Sequence, residues 1–166
     1  MRRFTAVAAL VVLLACGDDA ILPGGGPRAV AFRAISERQN PGFCVDGPQF
    51  AVAMTPAEWA SVWTRSTECQ PAPSDAPPLL GSEAGLAAWW KTETCLGYGI
   101  ATTRIVSNGR VITVTAERSE PPGEFCAQAI GGLESFLALN VLAVRGASTV
   151  RFVLDGVEVG SIEVPH

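Results

Sequence analysis

The chain has a single histidine in 166 residues, and it is the last one, His166. Without an internal imidazole there is no base for a serine or cysteine nucleophile, and no histidine-bearing metal motif can be written. Only 17% of residues are charged, and basic residues nowhere form a run. No basic cluster along the sequence marks a nucleic-acid binder or would draw the domain itself onto an anionic membrane. No apolar run reaches the ~20 residues a spanning helix needs. No closely spaced cysteine pair of zinc or redox type occurs, and nothing repeats with the period of a solenoid. No cofactor is implied. Chemistry using only Asp and Glu survives these exclusions.

What is present begins with an export signal. Arg2 and Arg3 precede the apolar stretch Phe4 to Leu14, and Leu13-Leu14-Ala15-Cys16 reads as a lipobox. Such a motif needs the Cys16 thiol, because the diacylglycerol is attached there as a thioether before the bond ahead of it is cut. Residues 1–15 are therefore read as a lipoprotein signal peptide and 16–28 as a lipidated cysteine with a Gly/Pro-punctuated flexible tether. Residues 29–166 form one β-rich domain on this reading. Two or three acyl chains at ~0.8 kcal/mol per buried methylene anchor a protein stably. Gly17 rather than an acid follows the cysteine, the pattern of outer-membrane lipoproteins in a double-membrane host. The expected location is the bacterial cell envelope, lipid-anchored on the extracytoplasmic side. Cleavage removes Arg2 and Arg3 from the 12 basic residues and none of the 16 acidic ones, leaving ten against 16, a formal charge of −6. A balance of that sign argues against nucleic acid as a partner.

Leu86 to Ala116 organises the domain. Alternation in LAAWWK places Leu86, Ala88 and Trp90 on one strand face and Ala87, Trp89 and Lys91 on the other. Asn108-Gly109 is a hairpin signal, both turn positions of a type I′ turn needing φ > 0. Pairing outward from it sets Val106 opposite Val111 and Ile105 opposite Ile112, with Ile105, Ile112 and Val114 on the core face. The whole stretch is read as a three-stranded antiparallel meander. Upstream, Ala29 to Ile35 and Phe50 to Met54 read as strands. Thr55-Pro56-Ala57-Glu58 is a capping box that starts a helix at Pro56. Its stripe Trp59, Val62, Trp63 must pack on the sheet face bearing Trp89 or Trp90. Downstream, Leu133 to Val144 and Thr149 to Leu154 read as strands, and Asp155-Gly156 turns into a last strand, Val157 to Val164. The expected class is α+β or mainly β: a twisted antiparallel sheet, curled into a sandwich or open, with one packed helix.

The corner Cys95-Leu96-Gly97-Tyr98-Gly99-Ile100, the hairpin after it and Glu120-Pro121-Pro122-Gly123 resemble the C-terminal domain of the PrcB-like family. That family is named for a lipoprotein subunit of a bacterial surface protease complex. Glu58-Trp59-Ala60-Ser61-Val62-Trp63 is similar to the family's helix, and the resemblance spans roughly residues 30 to 145. It implies a small extracytoplasmic β-rich domain without known catalytic residues, an accessory or assembly subunit that binds another cell-surface protein such as a protease. The alternative is a ligand-binding module for glycan or peptide.

Candidate sites follow from the residues. With Cys16 set aside, Cys44, Cys69, Cys95 and Cys126 are an even number in an exported chain, for which disulfides are the expected state. In a meander the connection before the second strand and the one after the third lie at the same end. Cys95 is therefore expected to bond Cys126, and Cys44 to bond Cys69 by elimination. The irregular Arg118 to Gly132 segment is of a length found in functional or stapled loops. With the Gly97-Tyr98-Gly99 corner it gives a candidate binding surface of Trp89, Tyr98, Glu124 and Phe125. Trp89 is the tryptophan that shares a face with charged residues. Glu117, Glu120 and Glu124 form a carboxylate cluster whose spacing is not that of an EF-hand; solvated loop charge is its ordinary reading, and no metal is assigned.

Replacing Cys16 by Ser is expected to abolish fatty-acid labelling and leave an unprocessed or soluble product. Continued labelling with membrane fractionation would contradict the lipobox reading.

Overall fold

Strand β4 (Glu83–Thr92) is buried on both faces, and the rest of the fold meets the demand that makes. The computed structural model describes residues 26–40, 48–67, 75–92, 99–119 and 131–165. Its elements run β1 (Arg28–Ala29), β2 (Phe32–Asn40), β3 (Gln49–Ala53), α1 (Pro56–Thr67), β4, β5 (Gly99–Ser107), β6 (Val111–Ser119), β7 (Gly131–Asn140), α2 (Val141–Arg145), β8 (Thr149–Leu154) and β9 (Val157–Glu163). They form a mainly β sandwich-like structure of two sheets, ordered β1-β5-β6-β8-β9 and β2-β7-β4-β3. Among the described residues all strand pairs are antiparallel except β6–β8.

The alternation read in β4 is observed. Leu86, Ala88 and Trp90 join Ile105, Ile112, Val114, Leu133, Leu137, Val150 and Phe152 between the sheets. Ala87 and Trp89 join Trp59, Val62, Trp63 and Phe136 beneath α1. Burying each such large side chain stabilises by ~1.5–3 kcal/mol. α1 starts where expected: Thr55 Oγ1 accepts from the Glu58 N–H (3.2 Å) and Glu58 Oε2 accepts from the Thr55 N–H (3.0 Å), the reciprocal capping box. Phe136 centres the aromatic group, 5.8 Å from Trp59, 4.9 Å from Trp63 and 5.5 Å from Trp89 between ring centroids. Gly85 lies beneath Trp59, where any Cβ would overlap the indole. That close approach lets the Trp59 Nε1–H reach the Pro77 carbonyl at 2.7 Å.

Four sequence expectations are corrected. The first strand, read over Ala29 to Ile35, is divided: Arg28–Ala29 pairs β5 in one sheet and Phe32–Asn40 pairs β7 in the other. The meander does not form: β4 pairs β3 and β7, whereas β5 and β6 belong to the facing sheet. Alternation fixes which face a residue takes, and leaves open whether the next connection turns back within a sheet or crosses to another. The hairpin is also displaced by one position, with Ile105 opposite Val114 and Ser107 opposite Ile112. Only Gly109 of the Asn-Gly pair has positive φ, +88°. Asn108 instead uses its side chain, Oδ1 accepting from the Arg110 (3.0 Å) and Val111 (2.7 Å) N–H groups. Moving the turn by one residue shifts the partners by two, so Ile105, Ile112 and Val114 keep the core face. Finally, the strand expected to run to Val144 ends at Asn140, whose Oδ1 accepts from the Leu142 N–H (2.8 Å) and caps α2. The terminal hairpin is as expected, Asp155 (φ +50°) and Gly156 (φ +80°) supplying two left-handed positions.

Trp63→Ala should lower stability by ~3–5 kcal/mol in equilibrium urea unfolding. A loss under ~1 kcal/mol, the range of surface substitutions, would contradict the packing of α1 on Phe136.

Candidate functional site

Pairing β2 with β7 sets Glu37 opposite Ser135 and Arg38 opposite Glu134. Neighbours on a strand point opposite ways, so the two pairs serve different faces. On the face toward the other sheet, Glu37 Oε1 accepts from the Thr102 backbone N–H of β5 at 2.7 Å and from Ser135 Oγ at 3.1 Å. Ser135 and Thr102 share a hydroxyl hydrogen bond of 3.2 Å. One carboxylate thus ties the two sheets together at their rim. It also occupies a donor of β5 beyond the reach of β1, which pairs only Val106 and Ser107. On the other face, the Glu134 carboxyl is fully buried and ion-paired to Arg38 Nε. Its partner across β4 is Trp89.

These groups lie at one end of the sandwich, and the strand ends there are neighbours. Asn40 is paired near Gly132, Thr92 opposite Gly131, and Gly99 opposite Ser119. Residues 41–48, 93–98 and 120–130 therefore all leave from this end. At the same end the terminal turn is tied to β6: Asp155 Oδ1 accepts from the Arg118 N–H (2.8 Å), and Oδ2 is ion-paired with Arg118 Nε. Burial pushes the Asp155 pKa up, but the hydrogen bonds and charge of Arg118 together outweigh it and hold the carboxyl below its ordinary value. At the other end, Glu83 is held below its ordinary value first by its side-chain hydrogen bonds to Arg33 (2.6 and 3.2 Å).

Of the residues singled out in the sequence, Trp89 is described and is not on the surface. It is 1% exposed under α1, with Phe136 edge-on to its ring, so it is withdrawn from the candidate surface. The charged residues taken to share its face signalled exposure, whereas the helix laid over that face decides its burial. Its indole N–H and that of Trp90 are buried without a hydrogen-bond partner. Glu117 is exposed at the end of β6. Cys16, Cys44, Cys69, Cys95, Cys126, Tyr98, Glu120, Glu124 and Phe125 lie outside the described residues. Sequence reasoning missed Glu37, Thr102, Glu134 and Ser135. The available signal was a Glu-Ser pair, Glu134-Ser135, inside an otherwise apolar strand.

Chemically, the network is a fastener. Ser135 is 2% exposed and Glu134 0%, so no substrate reaches them. Among the described residues, no three His, Cys, Asp or Glu side chains gather as a metal ion requires, and no helix is long and apolar enough to cross a membrane. No protein-family model, curated protein or solved structure matches the chain.

Glu37→Leu should cost about 1–3 kcal/mol, the penalty for leaving the Thr102 N–H unpartnered in a buried setting. Glu37→Gln keeps an acceptor oxygen and should cost under ~1 kcal/mol. Equal losses in urea unfolding would show that the carboxyl does not join the sheets.

Proposed function

We propose that the chain is a non-enzymatic, lipid-anchored envelope protein that binds another cell-surface protein, such as a protease, through the end of the sandwich from which residues 41–48, 93–98 and 120–130 leave. The observation that carries this reading is the convergence of those strand ends on a frame fastened between the sheets by Glu37 and on its outer face by Arg38. Segments mounted on paired strands can present a preorganised surface, which reduces the ordering cost of binding. The resemblance to the PrcB-like family supports an accessory role of this kind. The rival glycan- or peptide-binding reading called on an exposed aromatic and the Arg118 to Gly132 loop; Trp89 is buried, and Tyr98, Glu124 and Phe125 lie outside the described residues.

The cysteine pairing belongs to the same proposal, now on a different footing. Cys95 lies between Thr92 and Gly99, and Cys126 between Ser119 and Gly131. Thr92 is the register partner of Gly131, and Gly99 of Ser119. The two segments thus start and finish on paired residues, the neighbourhood a Cys95–Cys126 bridge needs. Cys44–Cys69 remains its complement.

A photo-crosslinking residue at exposed Ser119, carried by the full-length protein in its native envelope, should yield one discrete protein adduct. The same residue at Ala143, in α2 at the far end, should not. Adducts only from residue 143 would place partner binding at the wrong end. A peptide joining Cys44 to Cys95 on non-reducing mapping would refute the bridge.

A further inference from the structure

The chain enters the fold at the end opposite the proposed partner surface. Arg28 pairs with Ser107, at the far end of β5 from Gly99, and nine strand residues set those ends roughly 25–30 Å apart. The same end collects arginines that are remote in sequence. Arg110 is in the β5–β6 turn, and its carbonyl accepts from the Ser148 (2.8 Å) and Thr149 (3.2 Å) N–H groups, which brings the segment after α2, and so Arg145, alongside. Arg28, Arg110 and Arg145 are all exposed, and no ion pair joins them to an acid among the described residues. The acids of this end are Glu58, Glu83 and Glu163. Glu83 is ion-paired with Arg33, whereas Glu58, which caps α1 through backbone N–H groups, keeps its charge and lines a cleft with Arg145, and Glu163 is exposed.

Apolar surface accompanies this charge. The Val141 N–H donates to the Ser82 carbonyl at 2.7 Å, which sets Leu142 beside the turn carrying Leu80. These two, 66% and 60% exposed, are among three exposed large apolar residues of the described part; the third, Val157, is at the opposite end in the β8–β9 hairpin. Next to Arg145 an open cleft of about 470 Å³ is lined by Met54, Glu58, Arg145 and Pro165.

We infer that this end docks on the bilayer surface, Arg28, Arg110 and Arg145 against anionic headgroups and Leu80 with Leu142 at the headgroup boundary. The inference rests on the lipid-anchor reading. From Cys16 to Pro27 the chain is twelve residues long, and a Gly/Pro-rich segment of that length spans roughly 20 Å root-mean-square. A tether of that length lets Arg28 reach the lipid, and headgroup charge is felt within a Debye length of about 8–10 Å. A surface of arginines beside exposed leucines matches interfacial chemistry, since guanidinium groups stay with the phosphates while the leucines leave water. The docked domain presents its other end, with residues 41–48, 93–98 and 120–130, away from the membrane.

The test uses the full mature chain with an environment-sensitive fluorescent residue at position 142 or, separately, 157. It is held on phosphatidylcholine/phosphatidylglycerol vesicles by a histidine tag at residue 16 and nickel-chelating lipid. The probe at 142 should shift to the blue and become at least about threefold less quenched by aqueous iodide, while the probe at 157 stays unchanged. Arg110→Glu with Arg145→Glu should reverse the shift at 142 without detaching the protein, and so should removing phosphatidylglycerol. Equal quenching at both positions, or shielding of 157 alone, overturns the inference. Shielding of 142 in native envelope but not on lipid vesicles also overturns it, in favour of a protein partner at this end. Because the tag replaces the acyl chains, this experiment reads docking alone, and fatty-acid labelling of Cys16 reads the anchor alone.

Discussion

A strand that is dry on both faces must be hydrogen-bonded on both edges and covered on both sides, because no water is present to satisfy what is left over. β4 imposes that condition on the whole molecule. Its edges are met by β3 and β7, its inner face by the second sheet and its outer face by α1. β7 inherits the same condition and answers it with Leu133 and Leu137 inside and Phe136 outside, where Phe136 receives three tryptophans. The polar groups caught in this pair, Glu134 and Ser135, are tolerable only because Arg38 and Glu37 come from the adjoining strand to meet them.

Much of this was legible before any coordinates. The alternation LAAWWK specified that the two tryptophans of β4 part company, and the capping box located the first residue of α1. Partners were less legible than faces. A six-residue link after Thr92 is compatible with a turn back along the same sheet or a step to the facing one, and the period of two in the strand is identical in both cases. α2 was hidden inside an apolar run that suits a strand, though Asn140 before it and Gly146 after it were ordinary start and stop signals. The register error at Asn108-Gly109 arose because an asparagine can serve a turn through its side chain as well as through a left-handed backbone. Trp89 stayed open between core and surface, since the sequence does not say over which strand residues a helix will be laid.

The candidate site was less legible still, because its residues meet only through pairing. Glu37 and Thr102 are 65 positions apart, and nothing in either neighbourhood marks the other. The same holds for charge. Read along the chain, the arginines are dispersed and no basic run exists. Folded, Arg28, Arg110 and Arg145 share one end because β1, the hairpin turn and the segment after α2 close there. Linear clustering detects basic tails and helices, and overlooks a patch assembled from three turns.

The single parallel pair, β6 with β8, ties the fold to the order in which the chain is made. β6 is complete by Ser119, yet its second neighbour begins at Thr149. Between the two the chain must lay down β7, without which neither β2 nor β4 has its partner. Both sheets are therefore unfinished until the last quarter of the chain arrives. A polypeptide released early, or clipped after β6, would display open edges on β2, β4 and β6 together, the signature that chaperones and degradative proteases act upon. The architecture closes its sheets in sequence, the four-stranded one when β7 reaches Asn140 and the five-stranded one only with β8 and β9.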